Sequence, residues 1–342
     1  MASSTLGGET QKLLRALAVT LTTFLGHVRG FEGTDGAPAG FSPSDFKAAA
    51  NGLGAAVDKE VTFMMIACKP PAREADVREM CPKVGAAFFQ LVRLVDDIPR
   101  AAGHEYLVAV RKAVCGSLVA AATLVNSLID DKVAIEQAIM AELQFMPISG
   151  VFWEHCKTLS QIPADNRAAA ALTWTSAVGS LVKDAAEELH ESLESARDAA
   201  GEADGFSDDS MDELDGEIPA DRVDEGRRIE KLVVAAKHAC DKVGLRCIRE
   251  CKQLDEERIV WLDRLVDVGR TVQAAVDDVV ATLFMDEGEW KRCADAESQK
   301  LRDALASLLT LAVTFVDDTH LPWFELCRRQ LGVAQEAGPV VR

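Results

Sequence analysis

The chain has 342 residues, of which 48% are hydrophobic, 27% charged and only 6% aromatic, and its formal net charge is -18. A chain of that length buries a sizeable core without disulfides or metal, and its apolar content is that of a globular protein rather than a disordered one. The acidic balance opposes phosphate backbones, and basic residues gather only in pairs such as Arg227-Arg228 and Arg328-Arg329, so direct binding to nucleic acid is not expected.

The first helix is expected over about Glu9 to Val28, where Leu14, Leu17, Leu21, Phe24 and Val28 form one apolar stripe. After a Gly- and Pro-rich loop, Ser42-Pro43-Ser44-Asp45 supplies an N-cap, a proline at the first helical position and an early acid, which starts a second helix running to Cys68. A third, about Ala72 to Asp97, contains Pro82, which should kink it or delay its start. His104 to Asp130 reads as a buried helix. Its uncharged run from Ala113 to Ile129 is short for a membrane span and carries Ser117, Thr123, Asn126 and Ser127, so no membrane role is expected. Asp131 to Phe145 reads as a helix broken at Pro147, and a short helix from Gly150 to Leu159 follows.

A long helix then begins at Asp165 or Asn166, with Val178, Val182, Ala185, Leu189, Leu193 and Ala196 on its apolar side and Lys183, Glu187, Glu188 and Glu191 on its wet side. From Glu202 to Glu225 eleven acidic residues stand against one arginine, so residues 201–225 are expected to form a flexible acidic loop. Within it Ser210, followed by Met211, Asp212 and Glu213, is a possible phosphorylation site. Arg227 to Leu254 repeats Ile229, Val233, Ala236, Cys240, Val243 and Cys247 at helical spacing. Between Ile259 and Leu283 a heptad places Leu262, Gly269, Val276 and Leu283 seven apart, which marks a seam. Helices over Trp290 to Val316 and from Pro322 complete the chain, and no segment reads as a strand.

Catalytic motifs of the GxSxG and HExxH kinds and phosphate-cradling glycine loops are absent, so no enzyme and no cofactor is expected. His238, Cys240, Cys247 and Cys251 are the closest approach to a metal cluster. The three cysteines fall at core-facing spacing, so no metal site is assigned. The nine cysteines include no CxxC pair, and the N-terminus lacks a secretory pattern; a reducing location, cytoplasm and nucleus, is expected.

At Gln161, Ile162, Pro163, Ala164, Asp165, Asn166 and Arg167, followed by Ala168-Ala169-Ala170, Val182-Lys183-Asp184-Ala185 and Glu187-Glu188, the sequence resembles the cyclin-D-binding protein family, helical proteins described as Id-like. The resemblance continues through Val234 to Cys240, Leu262 to Val268, Val276 to Asp278 and Pro322-Trp323. It implies a non-enzymatic regulator of cell cycle and transcription that binds D-type cyclins and helix-loop-helix transcription factors. It also implies a helix-loop-helix without a basic region, mapping to Asp165–Ala200, the acidic loop and Arg227–Leu254. From the residues alone, those two helices can form such a dimer or belong to a bundle like those of vinculin or talin, and the bundle is the expectation. The expected architecture is all-α, with an N-terminal bundle over 1–163 and a C-terminal bundle over 164–342 joined through the long central helix. A cytoskeletal or adhesion-type helical scaffold is the alternative function.

Overall fold

The computed structural model describes residues 6–35, 41–69, 73–129, 135–202, 218–285 and 288–331. The fold is all-α, and among the described residues the only β pairing is a single bridge between Thr34 and Pro99. The chain packs as two compact units, Met1–Ala169 and Ala170–Arg342.

The first unit contains α1 (Gly8–Gly30), α2 (Pro43–Cys68), α3 (Glu74–Asp96), α4 (His104–Ser127) and α5 (Ile135–Ser160). Ser42 caps α2 as its sequence predicts, its hydroxyl accepting the Asp45 amide at 3.4 Å with Pro43 in the first turn. Helix α1 packs on α3 and α4, α2 on α3 and α5, and α4 on α5, which closes a ring of five helices. Leu14, Leu21, Phe88, Leu118 and Phe152 fill its centre with no exposure to solvent. Among the described residues α4 is the one helix long and apolar enough to cross a bilayer, and its Val110, Val114, Leu118 and Val125 are buried in this core.

The delayed start expected from Pro82 and the break expected at Pro147 are corrected. Helix α3 runs through Pro82 without a delayed start, with the proline on its exposed side. The backbone of α5 is likewise helical through Pro147, so the two expected helices are one. An interior proline costs about 3 kcal/mol, an amount that burial of a few large side chains such as Phe152 and Leu159 offsets.

The long helix starts as α6 (Asn166–Trp174), passes through a π turn at Thr175–Gly179 and continues as α7 (Ser180–Glu202). The boundary between the units falls inside α6. The second unit adds α8 (Val223–Lys242), which ends in a π turn at Val243–Arg249, then α9 (Glu256–Ala281), α10 (Trp290–Ala312) and α11 (Leu321–Gln330). The pairs α7–α8 and α9–α10 stack on each other, and α11 covers α10. Asp255 caps α9 by accepting the Arg258 amide at 2.9 Å. The heptad of α9 is a seam inside this bundle: Leu262, Leu265, Val272, Val276 and Val279 are wholly buried. On α7 the buried alanine is Ala186, not Ala185, which continues the stripe Val182, Ala186, Leu189, Leu193 at ordinary helical spacing.

The central part of the expected acidic loop, 203–217, including Ser210, lies outside the described residues. Its two ends are ordered. Glu202 closes α7, while Ile218 is buried and Ala220–Arg222 form a 3-10 turn leading into α8. The reason is Arg222, only 3% exposed despite its charge. Its Nη1 donates to the Leu283 carbonyl at 2.9 Å and to that of Met285, and its guanidinium lies 5.0 Å from the centre of the Trp290 ring. Charge-assisted bonds of this kind and a cation–π contact repay the ordering of a polar stretch.

Candidate functional site

The resemblance-bearing segment occupies a joint in the first unit. A helix start leaves backbone amides without intrahelical partners, and a side-chain oxygen normally accepts one of them. The residue ahead of α4 is Gly103, which has no side chain to offer and sits at φ +104°. Asn166 fills the role from another part of the chain, its Oδ1 accepting the Tyr106 amide at 2.9 Å. A Cβ on Gly103 would stand 2.2 Å from the Asn166 Cγ, so glycine is required both for backbone conformation and for space.

The neighbouring residues serve the same joint. Asp165 caps the helix that Asn166 opens, its Oδ1 accepting the Ala168 amide at 2.8 Å, and Arg167 pairs with it at 3.4 Å. Ile162 and Pro163 are buried, whereas Gln161 is exposed. Beneath them Tyr106 is fully buried and meets the Phe46 ring edge-on at 6.1 Å. Its phenol is pushed well above its ordinary pKa by burial and by the nearby Asp165 carboxylate. Of the six signature residues, Gln161 is the exposed one; Asn166 and Asp165 are used as caps.

A second joint, which sequence reasoning missed, organises the other unit. Trp174 is 4% exposed, and its indole Nε1 donates to the Cys240 carbonyl at 3.2 Å. A Cβ on Gly244 would lie 2.7 Å from that nitrogen, and one on Gly269 would lie 2.4 Å from the far side of the ring. The indole thus wedges between α8 and α9, and π turns follow it in its own helix and surround Gly244 in the other. A glycine at a heptad position that calls for a large apolar residue was the available signal.

The two segments mapped to a helix-loop-helix are α6–α7 and α8. Their apolar sides, Val182, Leu189 and Leu193 on one and Ile229, Val233 and Ala236 on the other, are buried against each other and the rest of the bundle. Gly226 permits the close approach, since a Cβ there would sit 2.6 Å from Leu193 Cδ2. What the pair shows to solvent is mixed: Leu172, Leu181 and Val234 are exposed beside charged side chains. Glu187, His190, Glu191, Glu230, Val234 and Lys237 surround a shallow recess of about 250 Å³. His190 Nδ1 and Glu230 Oε1 are 2.6 Å apart, and Arg227 bridges Glu194 at 2.6 Å and Glu230 at 3.2 Å. Burial pushes the Glu230 carboxyl up, but the hydrogen bonds from His190 and Arg227 outweigh it and hold the group below its ordinary value.

His238 is exposed while Cys240, Cys247 and Cys251 face the core, and among the described residues no three His, Cys, Asp or Glu side chains converge on a point where a metal would sit. Burial pushes the thiols of Cys240 and Cys247 up to about 12, which suppresses the reactive thiolate. The acidic pair Asp277-Asp278 is exposed on α9, and Asp317 is engaged in capping a turn, accepting the Thr319 amide at 3.0 Å.

The fold and these joints define an all-α helical-bundle protein whose polar groups described above are taken up in caps and surface ion pairs. Comparison with known proteins carries the assignment further. Residues 50–195 match the family described as Grap2 and cyclin-D-interacting, N-terminal. The chain is 25% identical over 244 residues to cyclin-D1-binding protein 1 of Bos taurus, an alignment covering 67% of this chain and 65% of that protein. It is 27% identical over 266 residues to the homologue from Danio rerio, covering 71% of each chain. With the Xenopus laevis homologue it shares 24% identity over 295 residues, covering 79% of this chain and 80% of that one. Residues 50–195 are thus similar to that family, and the aligned part of the chain spans less than two-thirds of the bovine protein.

Proposed function

We propose that this protein is a non-enzymatic regulator that acts by binding other proteins, with a D-type cyclin as its principal partner and cell-cycle control in the cytoplasm and nucleus as its setting. The observation that carries the reading is the family match over residues 50–195 together with relatives named for cyclin-D1 binding. Its surface suits the role: a net charge of -18 steers basic partner surfaces, and Glu187, Glu188 and Glu191 are exposed along α7. Helix-loop-helix factors and transcriptional control belong to the same proposal. Such partners would dock on the outer faces of α7 and α8, because the apolar seam between those helices is already used inside the bundle. Ser210 in the acidic segment is proposed as a phosphorylation site that adds charge there.

The test presents the purified full chain with a D-type cyclin, and in parallel with actin and an adhesion-type partner. Retention of the cyclin supports the regulator. Retention of only the cytoskeletal or adhesion partner replaces it with the scaffold reading.

A further inference from the structure

Helix α2 carries two large apolar side chains on consecutive turns that its own bundle does not cover: Phe63 is 47% exposed and Ile66 is 64% exposed. They form one wall of a groove of about 440 Å³, with Ala67 at its base and Met80 of α3 opposite. Exposed apolar residues occur singly on most proteins, but two together lining a concave site mark a contact surface. The rim consists of Lys69, Arg73, Asp76 and Glu79. These four charges cancel, in a chain whose 37 basic residues face 55 acidic ones.

The order of those charges matters. Helix α2 runs toward Cys68 and α3 runs back from Glu74, so Lys69 and Arg73 lie at the connecting end of the groove. Asp76 lies about one turn along α3 and Glu79 a turn further, a separation from Arg73 to Glu79 of about 9 Å at the rise of an α-helix. The groove therefore has basic residues at its connecting end and acidic ones further along α3, with Phe63 and Ile66 of α2 as an apolar wall alongside the charged rim. Such a pattern is complementary to itself when turned end for end. A two-fold axis through the groove at the level of Ile66 places Ile66 against its own copy, Phe63 against the apolar stem of the partner's Lys69, and the basic end of each chain on the acidic end of the other.

The existing rim pairs do not oppose this. Arg73 and Asp76 are 3.7 Å apart with side chains 81% and 49% exposed, and Glu79 is held at 2.6 Å by Lys83 one turn away. Exposed pairs of this kind are worth little and exchange partners readily. A cation also lies close to the apolar wall, the Lys59 ammonium being 5.8 Å from the centre of the Phe63 ring. Two chains of charge -18 repel each other, and a groove whose four rim charges cancel lets copies meet without adding to that repulsion.

We propose that the α2–α3 groove around Phe63 and Ile66 is a self-association surface, through which two copies of this chain pair antiparallel about a two-fold axis. Sedimentation equilibrium of the full chain over a concentration series tests it. The expected result is a reversible shift from one chain's mass to twice that mass. Phe63→Glu combined with Ile66→Glu abolishes the shift while helical circular dichroism is unchanged. Arg73→Glu alone sets like charges against each other and weakens pairing about tenfold or more, and adding Glu79→Arg restores it by reversing both ends together. A chain that stays at one mass throughout overturns the proposal, as does a dimer indifferent to Phe63→Glu and Ile66→Glu. A monomeric chain whose Phe63→Glu variant loses a D-type cyclin also overturns it and assigns the groove to that partner.

Discussion

Asn166 accepts the amide of Tyr106 at 2.9 Å and so caps a helix that begins 62 residues before it, at a place where Gly103 has no side chain to do so. The segment that carries the family resemblance is thereby tied to the N-terminus of α4, a buried apolar helix of the first unit. Replacing Asn166 by Ala removes the cap and leaves a buried amide without its acceptor, which is expected to cost about 1–2 kcal/mol. Gly103→Ala should cost more, because it adds strain at φ +104° to a clash with Asn166. Urea unfolding followed by circular dichroism measures both, and an Asn166→Ala variant as stable as the parent would sink the capping assignment.

Trp174 sets a corresponding condition in the second unit. With its ring against Gly244 and Gly269, a Gly269→Val substitution forces the indole aside, at an expected cost of about 1–3 kcal/mol. Trp174→Phe keeps most of the apolar area but loses the bond to the Cys240 carbonyl, and should cost about 1 kcal/mol. Thermal unfolding checks the order: Gly269→Val should melt below Trp174→Phe.

Arg222 ties the end of the acidic stretch to the chain just after α9. Arg222→Met preserves much of the stem's packing and deletes the bonds to the carbonyls of Leu283 and Met285, so about 1.5–3 kcal/mol should be lost. Hydrogen exchange provides the readout: faster exchange of the amides in 218–225 is expected, with α1 to α5 unchanged.

The buried thiols give the second unit a sensitivity to alkali. Cys240 and Cys247 are raised from 9.0 to about 12, so both folded and unfolded chains hold these protons below about pH 9. As pH rises through the window from 9.0 to about 12 the unfolded chain ionises them first and the folded chain does not. The stability is therefore full below that window and falls across it. Iodoacetamide at pH 8 should leave both thiols unmodified in the native protein and alkylate them in urea; native labelling of Cys247 would contradict its burial.

The helices themselves were readable from local chemistry. The Ser42-Pro43 start, the Asp255 cap and the stripe Ile229, Val233, Ala236, Cys240 each depend on residues within a few positions of one another, and the backbone follows them. Pro82 and Pro147 misled for the complementary reason. A proline's cost is local, while the burial that offsets it comes from residues distant in the chain. The π turns at Thr175–Gly179 and Val243–Arg249 left no periodic trace, since Val178 and Val182 in one helix and Cys240, Val243 and Cys247 in the other stay buried at ordinary helical spacing.

The sequence by itself determined that this protein is a set of amphipathic helices, acidic outside and rich in Ala, Leu and Val within, and its Gln161 to Arg167 segment pointed to the family. Only the tertiary structure decided what those residues do. Asn166 is a cap for a distant helix, the supposed helix-loop-helix seam lies inside a bundle, and Phe63 and Ile66 stand uncovered over a groove. Periodicity reports which side of a helix is apolar. Whether that side is covered, and by which residue, depends on contacts between segments far apart in the chain, and no local pattern carries them.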